Sequence, residues 1–128
     1  METIQLAGAD RTPTILFDFG RNHFSLAGES YPEDVSAFYG GLLSQLTKHL
    51  DSLQGADICF EFQFIYFNSS TAKVVMRLFE TLEQAAQNGN RVVVNWYHEE
   101  DDDNMREMGE EFAEDLQAAQ FNLLAKQG

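Results

Sequence analysis

The sequence has 128 residues, 44% of them hydrophobic, and its 21 acidic and 8 basic residues give a formal net charge of −13. A chain of this length and composition suits one domain with a substantial core, so we expect a single domain over residues 1–128. So negative a charge repels nucleic acid backbones and anionic lipids, which argues against nucleic acid and membrane as partners.

The first predicted element is a β-hairpin. TILFDF at 14–19 and NHFSLA at 22–27 are short β-prone runs joined around Gly20 and Arg21, the spacing of a tight hairpin. Residues 1–12 carry little apolar pattern, and we expect them to form a loose leader.

A long helix follows the hairpin. Apolar residues recur at steps of three and four over 35–53 and form one stripe along an amphipathic helix. Ser30 and Glu33 have the spacing of a capping box, so Ser30 is the expected start signal.

The middle of the chain has the pattern of a strand, a helix and a second strand. ICFEFQFIYF at 58–67 alternates large apolar side chains with partly polar ones, as in a half-buried strand. A second amphipathic helix over 69–88 leads to VVVNWY at 92–97, another strand with an interior composition. Such a unit pairs its strands in parallel through a right-handed crossover.

The last predicted element is a third helix, whose apolar stripe runs over 105–116. Residues 118–128 keep a few apolar side chains and are expected to be a loose tail. The predicted architecture is therefore α/β, with a four-stranded mixed sheet made of the hairpin and the parallel βαβ unit. The helices are expected to pack mainly on one face of that sheet.

Three consecutive residues with hydroxyl side chains, Ser69, Ser70 and Thr71, lie at the junction between the strand over 58–67 and the second helix. One interpretation is a helix cap, because such oxygens accept hydrogen bonds from the free N–H groups of a first turn. Alternatively, they form a site for a phosphate, which the positive end of a helix dipole favours. Lys73 and Arg77 follow at helical spacing from Ser69 and are expected contacts for a phosphate or an acidic partner.

Three separated motifs carry a resemblance to a known family. GESYPED at 28–34, YFNSSTAK at 66–73 and GNRVVVNWYHEEDDDNMREMGEEF at 89–112 resemble the SiaC family of bacterial regulatory phosphoproteins, and the likeness spans roughly residues 12–117. The serine-rich turn between strand and helix is also similar to the phosphorylation turn of STAS-type anti-sigma-factor antagonists. The resemblance implies a STAS-like fold without enzymatic activity.

The same resemblance implies a partner-switching circuit. A dedicated protein kinase would phosphorylate the turn, and a PP2C-type phosphatase would reverse the reaction. The unphosphorylated protein would bind and activate a diguanylate cyclase, which raises cyclic-di-GMP and favours biofilm growth or aggregation. The family's acceptor follows an asparagine, which places it at Ser69 after Asn68, with Ser70 and Thr71 as alternatives. Asn68, Ser70, Lys73 and Arg77 are then the expected partner contacts.

The alternative function is a module of the anti-sigma-factor-antagonist kind, or another interaction module with a different effector, in which the turn is only a cap. Catalysis is disfavoured, because the sequence has neither a G-x-S-x-G elbow nor a phosphate-cradling G-x-x-x-x-G-K-[ST] loop.

No metal or cofactor is expected. The segment 99–117 holds ten acidic residues and one basic residue but lacks the ligand alternation and glycine turn of an EF-hand loop. It is interpreted as a solvated helix face or as a docking surface for a basic helix. His23, His49 and His98 lie on separate predicted elements without ligand spacing.

The compartment is predicted from cysteine and targeting signals. Cys59 is the single cysteine and lies in an apolar run, which suits a reducing compartment. No apolar stretch of about 18 residues and no basic-then-apolar N-terminal signal is present, so a cytoplasmic location is expected.

Overall fold

The structure is a computed structural model, and it describes residues 3–126. Its elements in chain order are β1 (Ile4–Leu6), β2 (Thr14–Asp18), β3 (His23–Ser30), α1 (Val35–Asp51), β4 (Asp57–Phe67), α2 (Ser69–Gln87), β5 (Arg91–Glu99), α3 (Asp103–Ala113) and β6 (Gln120–Lys126). None of the helices within this range is long and apolar enough to cross a bilayer.

The six strands form one mixed sheet whose spatial order follows the chain, from β1 to β6. β1, β2 and β3 pair antiparallel, whereas β3, β4, β5 and β6 pair in parallel. Each parallel step is bridged by one helix, so the chain contains three successive βαβ units. The predicted hairpin and the predicted βαβ unit are confirmed, as is the α/β class.

The prediction of a four-stranded sheet is wrong, because each end of the chain adds an edge strand. β1 pairs Ile4 with Phe17 of β2. β6 pairs Phe121 with Val94 of β5. The loose segments expected at 1–12 and 118–128 therefore both contain sheet strands. Three residues are too short a run to show an alternating pattern, and the tail becomes a strand only because the edge of β5 offers it unpaired backbone groups.

The start of α1 also differs from the prediction. Asp34 is the N-cap and accepts a hydrogen bond from the backbone N–H of Ala37 at 3.0 Å. Ser30 instead ends β3, where its side chain is fully buried. The capping-box spacing was misleading because the strand continues through Ser30 and leaves no free helix N–H group beside it.

The core lies between the sheet and the three helices. Along β4 the buried side chains of Ile58, Phe60, Phe62 and Phe64 alternate with half-buried side chains on the opposite face. α1 contacts α2, and α2 contacts α3, so the helices form one layer over the buried face. No helix of residues 3–126 lies over the other face of the central strands.

Candidate functional site: the turn between β4 and α2

Asn68 forms the turn between β4 and α2. Its side-chain Oδ1 accepts a hydrogen bond from the backbone N–H of Thr71 at 3.0 Å, which makes Asn68 the N-cap of α2. Its own backbone N–H donates to the carbonyl oxygen of Ser30 at 3.2 Å. The turn therefore lies at the carboxyl edge of the parallel strands, where α/β proteins place ligands and partners. The NSST turn therefore does contain a helix cap, but the side chain of Asn68 supplies it and not one of the three hydroxyl groups.

The three neighbouring hydroxyl groups have different environments. Ser69 and Ser70 are exposed on the first turn of α2, and neither side chain hydrogen-bonds to another residue within the described range 3–126. Thr71 is fully buried, and its Oγ1 donates to the carbonyl oxygen of Ser30 at 3.1 Å. An enzyme acting on the folded chain can thus reach Ser69 and Ser70, but Thr71 is enclosed.

A buried hydroxyl network holds this turn in place. The hydroxyl of Ser30 lies 3.0 Å from that of Thr71 and 2.5 Å from that of Tyr39 in α1. Burial raises the pKa of Tyr39 to about 12, although its hydrogen bonds with Ser30 and Thr71 act in the opposite direction. The phenol therefore stays neutral at physiological pH and joins β3, α1 and the start of α2. Sequence analysis missed this network because its members are far apart in the chain.

Two basic side chains continue from the turn along α2. Lys73 and Arg77 are exposed, and within residues 3–126 neither forms an ion pair. Arg77 lines a groove between α1 and α2 that also contains Lys48 and Asp51. Lys73 lies one turn and Arg77 two turns beyond Ser69, so the predicted cations share a helix face with it.

An exposed apolar patch precedes the turn. Ile65 is 63% exposed and Tyr66 is 52% exposed, although both belong to the central strand β4. Tyr66 packs edge to face against Tyr31, with ring centroids 5.9 Å apart. Large exposed apolar side chains at one place are typical of protein contact surfaces.

The acidic segment borders the same patch. Asp102, Glu107 and Glu111 of the α3 region line a groove with Ile65 and Tyr66. Asp102 also caps α3 by accepting from the backbone N–H of Met105 at 3.0 Å. The acidic segment was expected to be a solvated face or a docking surface. Through Asp102 it also stabilises the start of α3.

The cap geometry leads to a prediction for folding. Replacing Asn68 by Ala is expected to lower the free energy of unfolding by about 1 kcal/mol, because the N–H of Thr71 loses its acceptor. Ser69→Ala is the matched control and is expected to change it by less than about 0.5 kcal/mol, because an exposed hydroxyl without a partner is removed. Urea unfolding of both variants measures the difference. A larger loss for Ser69→Ala than for Asn68→Ala would contradict this assignment of the cap.

The fold and the turn define a class, an α/β protein with one helical layer and an exposed serine at the first turn of its second helix. The sequence model of a family described as SiaC family regulatory phosphoprotein matches residues 6–126. The chain therefore belongs to the SiaC family of regulatory phosphoproteins.

Solved structures agree with this assignment. The chain is 30% identical to apo-SiaC from Pseudomonas aeruginosa, with a TM-score of 0.87 over 98% of this chain and 100% of that one. A structure of the diguanylate cyclase SiaD in complex with its activator SiaC, also from Pseudomonas aeruginosa, matches with a TM-score of 0.89 and 28% identity over 96% of this chain and 99% of that one. An uncharacterised protein of Pseudomonas aeruginosa strain UCBPP-PA14 is 29% identical over 115 residues, 90% of each chain.

Proposed function

We propose that this protein is a phosphorylation switch whose unmodified form binds and activates a diguanylate cyclase. In this proposal a protein kinase phosphorylates Ser69 and releases the cyclase, and a PP2C-type phosphatase restores the binding form. Family membership and the likeness to SiaC, which is the activator of the cyclase SiaD in the matched complex, support the choice of effector. The observation that carries the proposal is the exposed Ser69 hydroxyl, which the cap of α2 does not use.

The helix start can hold a phosphate without unfolding. A phosphoserine carries about −1.5 to −2 charges at neutral pH, and a helix N-terminus favours an anion by roughly 0.3–1 kcal/mol at an exposed site. Lys73 stands one turn further along the same face and can pair with the added phosphate. The hydroxyl network of Ser30, Tyr39 and Thr71 fixes the backbone below. Phosphorylation is therefore expected to change the surface and leave the fold intact.

Charge repulsion and competition for Lys73 explain how phosphorylation would release the cyclase. A partner that covers Ile65 and Tyr66 and pairs its carboxylates with Lys73 or Arg77 would meet the phosphate at the centre of the contact. Two unit charges about 4 Å apart interact by roughly 1 kcal/mol in water and about 4 kcal/mol at an effective dielectric constant of 20. The phosphate also competes for Lys73. Binding is therefore expected to weaken at least tenfold, since tenfold corresponds to about 1.4 kcal/mol.

The test measures cyclase binding and activity with and without the kinase. The purified chain and a diguanylate cyclase from the same organism are titrated together, and the Kd and the rate of cyclic-di-GMP formation are recorded. Phosphorylation of the wild-type chain is expected to weaken binding at least tenfold and to remove the activation. Ser69→Ala is expected to bind and activate whether or not the kinase is present.

Ser70→Ala is the matched control, because it removes the neighbouring exposed hydroxyl. It is expected to be released by the kinase as the wild type is, with the added phosphate mapped to Ser69. Continued release of Ser69→Ala by the kinase would contradict the assignment of the acceptor. Failure of the unmodified chain to bind any diguanylate cyclase of the organism would contradict the effector.

A further inference from the structure

A cluster of possible metal ligands lies on the sheet face that has no helix over it, away from the turn. His23 begins β3 and is the direct register partner of Cys59 in the parallel strand β4. Glu61 lies two residues beyond Cys59, so its side chain points to the same face. The strand from Cys59 to Phe67 spans roughly 26 Å at about 3.3 Å per residue. The cluster is therefore well separated from Ser69.

The three side chains already converge. Nε2 of His23 lies 2.8 Å from Oε1 of Glu61. One ligand atom each from His23, Cys59 and Glu61 lies within 4.8 Å of the other two. Ligand atoms around a tetrahedral Zn²⁺ are roughly 3.3–3.8 Å apart, given bond lengths of about 2.0–2.3 Å. The three ligand atoms are thus close to the spacing that one ion requires.

Outer contacts orient two of these ligands. The hydroxyl of Tyr97 donates to the second oxygen of Glu61 at 2.5 Å. The side-chain amide of Asn95 is 3.7 Å from the sulfur of Cys59. Such outer partners are typical of metal sites because they hold the ligands in their binding rotamers.

We propose that His23, Cys59 and Glu61 form a binding site for a single Zn²⁺ ion. Sulfur, nitrogen and oxygen donors together suit a borderline divalent metal and disfavour Mg²⁺ and Ca²⁺, which prefer oxygen alone. The side chain of His23 is 43% exposed, whereas that of Glu61 is 19% exposed. The fourth coordination position therefore opens on solvent and takes a water molecule or a ligand from a partner.

Proton and charge balance are consistent with this site. Binding of Zn²⁺ displaces the thiol proton of Cys59, which passes to solvent, and the thiolate becomes the ligand. Arg21 and Arg91 border the same cleft as His23 and Cys59. Each has a carboxylate 3.8 Å away, Asp18 and Asp57 respectively, which offsets its repulsion of a cation.

Cobalt(II) is the probe for the test, because its bond to a thiolate gives a charge-transfer band in the near ultraviolet. The untagged full-length chain is expected to bind one equivalent of Co²⁺ with such a band, and Zn²⁺ is expected to displace it. Cys59→Ser should abolish the band, and His23→Gln and Glu61→Gln should each weaken binding at least tenfold. Asp57→Asn is the matched control, since it removes a nearby charge that is not a ligand; it should weaken binding far less than Glu61→Gln does, because it leaves all three ligands in place and only exposes the ion to the charge of Arg91.

Two results would overturn the site. One is the absence of a thiolate band in the folded wild-type chain. The other is an equal loss in Asp57→Asn and Glu61→Gln, which would indicate attraction by surface charge alone. Circular dichroism of each variant checks folding, and His23→Gln replaces a half-exposed side chain, so it keeps the test valid should Cys59→Ser misfold. None of these readouts depends on Ser69 or on a cyclase.

Discussion

Replacing Glu83 by Ala is expected to lower the free energy of unfolding by about 3 kcal/mol. Glu83 is only 8% exposed, and its carboxylate accepts hydrogen bonds from the backbone N–H groups of Gln117, Ala118 and Ala119, the last at 2.9 Å. These N–H groups directly precede β6, so one side chain of α2 holds the backbone in place where the edge strand begins. Hydrogen bonds to a charged group contribute about 1.5–3 kcal/mol, and orphaned buried donors add to the loss.

The contribution of Glu83 is expected to depend on pH. Burial acts to raise the pKa of its carboxyl group, but the hydrogen bonds from Ala119, Gln87, Ala118 and Gln117 outweigh it, and the net pKa is lowered. A lowered folded-state pKa means that the stabilisation is present above the unfolded value of about 4.3 and is lost as the pH falls through the folded value. The difference in stability between the wild type and Glu83→Gln should therefore shrink in acid.

Urea unfolding at a series of pH values measures both effects. Glu80→Ala is the matched control, because Glu80 is an exposed acid on the same helix. It is expected to change the free energy of unfolding by less than about 0.5 kcal/mol. Equal losses in Glu80→Ala and Glu83→Ala, or a difference between the wild type and Glu83→Gln that does not shrink in acid, would count against this anchoring of β6.

Gly109→Ala is expected to destabilise the protein by about 3 kcal/mol. A Cβ atom at position 109 would lie 2.5 Å from Cδ1 and 2.6 Å from Nε1 of Trp96. The indole is fully buried and donates to the carbonyl oxygen of Met105 at 3.0 Å, so it cannot move away without losing that bond. Overpacking of a core costs about 1–3 kcal/mol, and the broken hydrogen bond adds to it.

The single tryptophan of the chain reports this change directly. Unfolding followed by its fluorescence gives the stability, and a red shift in the native spectrum would show that α3 has moved away. Gly41→Ala is the matched control, because it adds a Cβ in a helix with no atom within 4 Å. It is expected to stabilise the protein by about 0.5–1 kcal/mol. A Gly109→Ala variant as stable as the wild type would show that α3 adjusts without cost.

The amino-acid sequence by itself determined the three helices, the central strands and the place of the serine-rich turn. Helix periodicity over 35–53 and 69–88, and alternation over 58–67, arise from contacts between residues close in the chain, so they can be read locally. The hairpin and the parallel βαβ unit followed from the same patterns. The motifs at 28–34, 66–73 and 89–112 also identified the family.

The tertiary structure alone decided which hydroxyl is enclosed and which side chains meet. Thr71 and Ser69 look alike in sequence, yet Thr71 is buried because Ser30 lies beneath it at the end of β3. His23 and Cys59 adjoin only through the register of two parallel strands. The edge strands likewise exist because β2 and β5 offer unpaired backbone groups. Each of these features depends on residues far apart in the chain, and local periodicity contains no information about such pairing.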